Sequence, residues 1–109
     1  MLSEEQVQEI RQVCPSSQSL GALGDLFKVL GEESRIRILS ALSKQALCVC
    51  ELTQVLGMKQ SAVSQQLRIL KAHRLVRYRR EGRSMIYRLD DEHVEALYRL
   101  GLEHVQEKR

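Results

Sequence analysis

The feature that most constrains the fold lies between residues 48 and 89, where the apolar period changes. The segment "CVCELTQVLG" (48–57) puts Val49, Leu52, Val55 and Leu56 on one helical face and stops at Gly57. The segment "KQSAVSQQLRILKAHRL" (59–75) keeps the helical period and turns Val63, Leu67 and Leu70 inward. Two short helices joined by a brief glycine-containing turn read as a helix-turn-helix. Beyond them the period drops to two. Val76 and Tyr78 alternate with Arg77 and Arg79, then Met85, Tyr87 and Leu89 alternate with Ile86 and Arg88, with Glu81-Gly82 between the runs. Alternation on both sides of a glycine turn predicts a β-hairpin. The predicted fold class is therefore mainly α with a β-hairpin wing, a winged helix-turn-helix.

Helices flank this unit. Residues 3–13 read as an amphipathic helix capped by Ser3, ending before Cys14-Pro15 because the residue before proline disfavours the helical region. "PSSQS" (15–19) is predicted to be a flexible junction. "LGALGDLFKVLGE" (20–32) spaces Leu20, Leu23, Leu26, Phe27 and Leu30 helically and stops at Gly31, and "ESRIRILSAL" (33–42) turns Ile36, Leu39 and Leu42 inward. The last segment, "LDDEHVEALYRLGLEHVQEKR" (89–109), places Val94, Leu97, Leu100 with Tyr98, and Val105 on an apolar stripe. Two regions follow: 1–18, an N-terminal helix and flexible arm, and 19–109, a winged-helix DNA-binding domain with a C-terminal dimerisation helix. A chain of 109 residues has room for one modest core, so an amphipathic terminal helix predicts that a second copy completes it, giving a homodimer.

Charge is segregated. Lys59 to Arg88 holds nine Lys or Arg against one acid, Glu81, whereas Asp90 to Glu107 holds six acids and one Arg. A basic block beside an acidic helix fits a polyanion-binding surface next to a separate function. Opposite the apolar stripe of 59–75 stand Gln60, Ser61, Ser64, Gln65 and Arg68, residue types that read base edges or hold phosphates. On a lone helix that pattern is an ordinary solvated face. Beside the wing-tip arginines Arg79, Arg80 and Arg83 it reads as a double-stranded DNA surface. RNA fits less well, because Tyr78 and Tyr87 alternate with the arginines and point inward, leaving no stacking platform. The chain offers no nucleophile–base constellation and no Gly-rich phosphate loop, so no enzyme is expected. Residues 1–13 are charged and helix-like, without a signal peptide's basic head and apolar run, and no apolar stretch is long enough to span a membrane. A cytoplasmic protein with reduced thiols is expected.

Two groups of residues have metal-ligand chemistry. The terminal helix carries Asp91 and His93 at one end and His104 and Glu107 at the other. Asp91 and His104 are thirteen positions apart, roughly 20 Å along a helix, while ligands of one ion approach it to about 2 Å. Either the four residues are unrelated, or two copies of the helix run antiparallel and each end meets the opposite end of the other. The second arrangement gives two imidazoles and two carboxylates, a tetrahedral zinc set. Asp91 and His93 converge only if Asp91 is the N-cap, where the backbone is not yet helical. The second group is "LCVCEL": Cys48, Cys50 and Glu51, with Cys14 on the arm, would suit a soft ion such as Cd2+, Pb2+, Cu+ or As(III). Two small buried thiols are the alternative, although i and i+2 on a helix cannot both face one core, so at least one thiol is expected near the surface.

The run "LCVCELTQVLGMKQSAVSQQLRILKAHRLVRYRREGRSMIYRL" resembles the helix-turn-helix and wing of the ArsR/SmtB metal-sensing repressors, and the likeness covers roughly residues 20–109. The tail pattern of Asp91, His93, His104 and Glu107 resembles the zinc site that the zinc-sensing branch forms across its dimer. The CVC pair resembles the thiolate site of cadmium, lead and arsenic sensors, with Glu51 where zinc-sensing relatives often have an acid. The chain departs from those patterns in having Cys14 alone on its arm and Thr53 in place of a third cysteine. The resemblance implies a dimeric repressor that binds a near-palindromic operator without metal and releases it when zinc, cadmium or another heavy-metal ion binds. It also implies control of metal-export or sequestration genes, and a relay from a metal-bound histidine toward His73–Leu75. A thiol redox repressor pairing Cys14 with Cys48 or Cys50, and a metal-storage protein without a DNA role, are the alternatives.

Overall fold

The computed structural model describes residues 1–108; Arg109, the end of the predicted second region, lies outside the described residues. The order is α1 (Glu4–Val13), α2 (Ser17–Leu30), α3 (Glu33–Lys44), β1 (Leu47–Cys48), α4 (Val49–Leu56), α5 (Gln60–Ala72), β2 (Val76–Glu81), β3 (Ser84–Leu89) and α6 (Glu92–Gln106). The winged helix-turn-helix is as expected: α4 and α5 form the motif, and β2–β3 form the wing. Gly57 ends α4 with φ 65, the left-handed conformation that glycine adopts without steric cost.

The core lies beneath α3, α4, α5 and the base of the wing. Ile38, Leu52, Val63 and Leu70 are wholly buried there, with Leu39, Leu67 and Val76 nearly so. Val63, Leu67 and Leu70 are inward as their period requires. Val55 is not: it is 63% exposed, because the face of α4 that meets the core runs through Val49, Leu52 and Leu56 and leaves Val55 beside it. On α3 the deepest residue is Ile38 rather than Ile36, which is half-buried and turns toward α2 and α6.

Three local expectations are corrected. The sheet has three strands in the order β1-β3-β2, because Leu47 and Cys48 pair with Tyr87 and Ile86. The hairpin turn is Gly82-Arg83, not Glu81-Gly82, for Glu81 still pairs with Ser84 and Gly82 takes φ 60. "PSSQS" is largely helical. The Ser16 side chain accepts from the backbone N–H of Ser19 at 3.2 Å and caps α2, so this helix runs across the predicted boundary at 18/19.

At the two ends the caps are as predicted. Ser3 and Gln6 form a reciprocal capping box on α1, and Asp91 caps α6. Apolar side chains are left uncovered on several helices: Ile10 and Val13 on α1, Leu20, Leu23 and Phe27 on α2, and Leu97, Leu100 and Val105 on α6. α1 buries none of its residues. Between α2, α3 and α6 opens an apolar cavity of about 350 Å³, bordered by Phe27, Ile36, Leu97 and Val105. No described helix is long and apolar enough to cross a membrane.

Candidate nucleic-acid interface and metal-binding residues

The polar residues of α5 form one outward stripe. Gln60, Ser61, Gln65 and Arg68 are exposed and Ser64 is half-buried. Their spacings of three and four keep them on one face, opposite buried Val63, Leu67 and Leu70. The buried stripe therefore fixes which polar side chains face outward.

The wing supplies the charge, but not all from one side. Arg79 lies opposite Ile86 and Arg80 opposite Met85, and consecutive strand residues point to opposite faces. Arg79 and Arg80 therefore diverge. Arg79 also holds Glu81, with Nη2 2.9 Å from Oε2, although both groups are well exposed and the pair is weak in salt. Arg83 sits in the turn itself and is exposed.

Sequence reasoning missed Lys71. Its Nζ lies 4.4 Å from the centre of the Tyr78 ring, a cation–π contact joining α5 to the wing. Tyr78 in turn lies across from Tyr87, with ring centres 5.5 Å apart. Burial pushes the Tyr87 hydroxyl up from its usual pKa. The signal for Lys71 was its place in the last turn of α5, but its aromatic partner comes from another element.

At the start of α6, Asp91 has extended backbone angles, φ −156 and ψ −178, and the expected convergence occurs. Its Oδ1 accepts the Val94 N–H at 3.1 Å, while Oδ2 stands 3.5 Å from His93 Nδ1. The Val94 N–H, and then the neighbouring imidazole, hold the Asp91 carboxyl below its usual pKa. At the other end His104 Nδ1 is 3.9 Å from Glu107 Oε2, Glu107 being the C-cap. All four side chains are exposed. Two donors at about 2.0–2.1 Å from a tetrahedral zinc stand roughly 3.3 Å apart, so both pairs need only small adjustments to share an ion. Each pair offers two donors, half the number a four-coordinate ion takes. Among the described residues no three His, Cys, Asp or Glu side chains gather where they would hold an ion.

The cysteines are less assembled. Cys48 ends β1 and is the N-cap of α4, and Cys50 is exposed in its first turn. Glu51 Oε1 accepts the Cys48 N–H at 2.9 Å, which lowers the Glu51 pKa and commits that oxygen to capping the helix. Cys14 is exposed at the end of α1 and donates to the Ile10 carbonyl at 3.5 Å. All three thiols are free.

Residues 32–78 match the family described as bacterial regulatory protein, arsR family. The chain is 46% identical over 104 residues to a transcriptional repressor SmtB homolog of Synechocystis sp., covering 93% of this chain and 79% of that protein. It is 36% identical over 83 residues to a cadmium resistance transcriptional regulatory protein CadC homolog of Staphylococcus aureus, covering 75% and 69% respectively. A homodimeric winged helix-turn-helix DNA-binding domain from Mycobacterium bovis superposes with a TM-score of 0.77 at 28% identity, over 86% of this chain and 90% of that one. The fold and the family match define a winged helix-turn-helix transcriptional regulator, a DNA-binding protein and not an enzyme. The chain belongs to the arsR family of bacterial regulatory proteins.

Proposed function

We propose that this chain is a metal-responsive transcriptional repressor, working in the cytoplasm as a homodimer that binds operator DNA and leaves it when zinc binds. The observation that carries this reading is the pair of half-sites on α6. Each brings one imidazole and one carboxylate within 4 Å, and the two lie at opposite ends of a 15-residue helix. Asp91 and His93 of one protomer, with His104 and Glu107 of the partner subunit, would make each complete set. The exposed apolar side chains Leu97 and Leu100 lie between the half-sites, with Val105 inside the second, and favour helix-on-helix contact there. That the related Mycobacterium bovis domain is homodimeric supports the same assembly.

Bound zinc would supply a fixed cross-link between the two terminal helices. Asp91 keeps its cap through Oδ1 and offers Oδ2 to the set. On the DNA side Gln65 and its neighbours read bases, while Arg83 and Arg68 neutralise phosphates. A change in the angle between protomers alters the spacing of the two α5 helices, so the metal residues need not touch DNA. Coupling of a few kcal/mol is enough to shift operator occupancy. Cys48 and Cys50, with Cys14, form a second and softer site for ions such as Cd2+, supported by the likeness to the cadmium resistance regulator.

Mixing variants tests the shared site. A heterodimer of an Asp91→Ala/His93→Ala chain with a His104→Ala/Glu107→Ala chain retains one full set if sets form between chains, and none if they form within one. Zinc titration of that heterodimer is expected to show one tight site, with release from a duplex selected out of a random library by the parent protein. Absence of a tight site would refute the shared arrangement.

A further inference from the structure

We propose that Arg35 is a positioning residue for DNA recognition and that Gln66 is the point at which it holds the recognition helix. Arg35 lies half-buried on α3. Its Nε donates to the Val29 carbonyl at 2.7 Å, and its Nη1 donates to Gln66 Oε1 at 3.1 Å. One guanidinium thus ties the last turn of α2, the first turn of α3 and the middle of α5. The Val29 carbonyl belongs to a helix end, where carbonyls lack intrahelical partners and favour a cation. The base of the fork is itself fixed, since the Arg35 N–H donates to Glu32 Oε2 at 3.1 Å.

The place of Gln66 on α5 gives this bond its consequence. It follows Gln65 of the reading face and precedes Leu67, which is 1% exposed in the core. It stands at the edge between the two faces, where a tether most resists rolling of the helix. Burial of Val63, Leu67 and Leu70 presses α5 onto the core, but apolar contact has no direction and permits roll and slide. Base reading tolerates errors of only about 0.5 Å. A planar guanidinium with one arm on a backbone carbonyl and another on an amide oxygen supplies the missing directional restraint. Gln66 is half-buried and engaged, so it acts on DNA through the orientation of Gln65 and Ser64. α2 also carries exposed Leu20, Leu23 and Phe27, so Arg35 links an apolar face that a second protomer would cover to the helix that reads DNA. That last step rests on the homodimer proposed above; the local positioning does not.

The test uses the full chain without metal, and compares its affinity for the selected duplex with that for a scrambled duplex of equal length. Gln66→Ala is expected to lower affinity for the selected duplex about tenfold, the loss of one charge-assisted hydrogen bond, with scrambled binding and salt slope unchanged. Gln66→Glu keeps an acceptor for the guanidinium and adds negative charge. If the tether matters, it restores the selected-to-scrambled ratio to within about threefold of the parent. If Gln66 instead touches DNA, Gln66→Glu is worse than Gln66→Ala, and the assignment is overturned. An unchanged ratio in Gln66→Ala overturns it as well. Arg35→Lys should lose the same ratio, with the double variant Arg35→Lys/Gln66→Ala no worse than either single; additive losses would overturn the link. Where Arg35→Lys fails to fold by circular dichroism, the two Gln66 variants decide. Because the ratio is read without metal, a missing zinc response refutes the metal reading and leaves this result standing.

Discussion

The bond between Tyr98 and Ser40 offers a measurable hold on the coupling between α6 and the rest of the protomer. Tyr98 Oη donates to Ser40 Oγ at 2.8 Å, joining the helix that bears the candidate metal residues to α3 across 58 positions of sequence. Tyr98→Phe removes this bond while the ring still lines the apolar cavity, so little packing is lost. A neutral, partly buried hydrogen bond contributes about 1 kcal/mol net. In a domain of roughly 100 residues that lowers the Tm by about 4–8 °C. The same loss bounds the functional effect. If α6 passes its position to α5 partly through α3, weakening the attachment by about 1 kcal/mol reduces the zinc-driven drop in operator affinity by up to about fivefold. Metal-free affinity should stay near that of the parent, because neither residue faces the DNA. The assay is fluorescence anisotropy on the selected duplex with and without zinc, beside thermal melts at one fixed protein concentration, since a dimer's Tm depends on concentration. A double-mutant cycle with Ser40→Ala isolates the pair, and its interaction energy is expected near 1 kcal/mol. A value below about 0.3 kcal/mol would mean that the bond does not hold α6 in solution, and the reasoning would fail at its first step.

On the DNA face, Gln65→Ala should relax preference at one base position by about 1–3 kcal/mol, whereas Arg83→Ala should weaken all duplexes alike and flatten the salt slope by about one unit; parental binding by both variants would refute the assigned face. Glu32 caps α3 by accepting the N–H groups of Ser34 and Arg35, and the Ser34 contact lowers its pKa most. A depressed folded pKa stabilises the fold above the unfolded value, and this stabilisation is lost as pH falls through the folded value. Thermal melts of the parent and Glu32→Gln should therefore differ most near neutrality and converge in acid; a constant difference would exclude the carboxylate as the cause. Adding cadmium should give a thiolate-to-metal absorption band that Cys48→Ser abolishes. Survival of zinc-driven release in that variant is the expected result, and its loss would make the cysteines part of the switch.

What could be read from the sequence was whatever the chain specifies within a few residues. The period of α5, the alternation of the wing, the stop at Gly57 and the Asp91 cap are short-range properties, and each is realised where it was expected. The two His–carboxylate pairs were legible for the same reason: their partners lie two and three positions apart, so local backbone geometry alone brings them together. The divergence of Arg79 and Arg80 also follows from strand alternation. The role of Ser16 depends on which serine of "PSSQS" finds an N–H to accept, which composition does not reveal. Other features had no local signal at all. A two-residue strand has no period, and Leu47–Cys48 becomes one only because β3 presents a free edge. Ile38 displaces Ile36 at the centre because α3 is flanked on more than one side, and packing decides which side is deepest. Arg35 meets Gln66 across 31 positions and Lys71 meets the Tyr78 ring from another element, contacts that exist only once the helices have docked. Periodicity sets which face of an element is apolar; the docking of elements sets which polar atoms then lie within a hydrogen bond of each other.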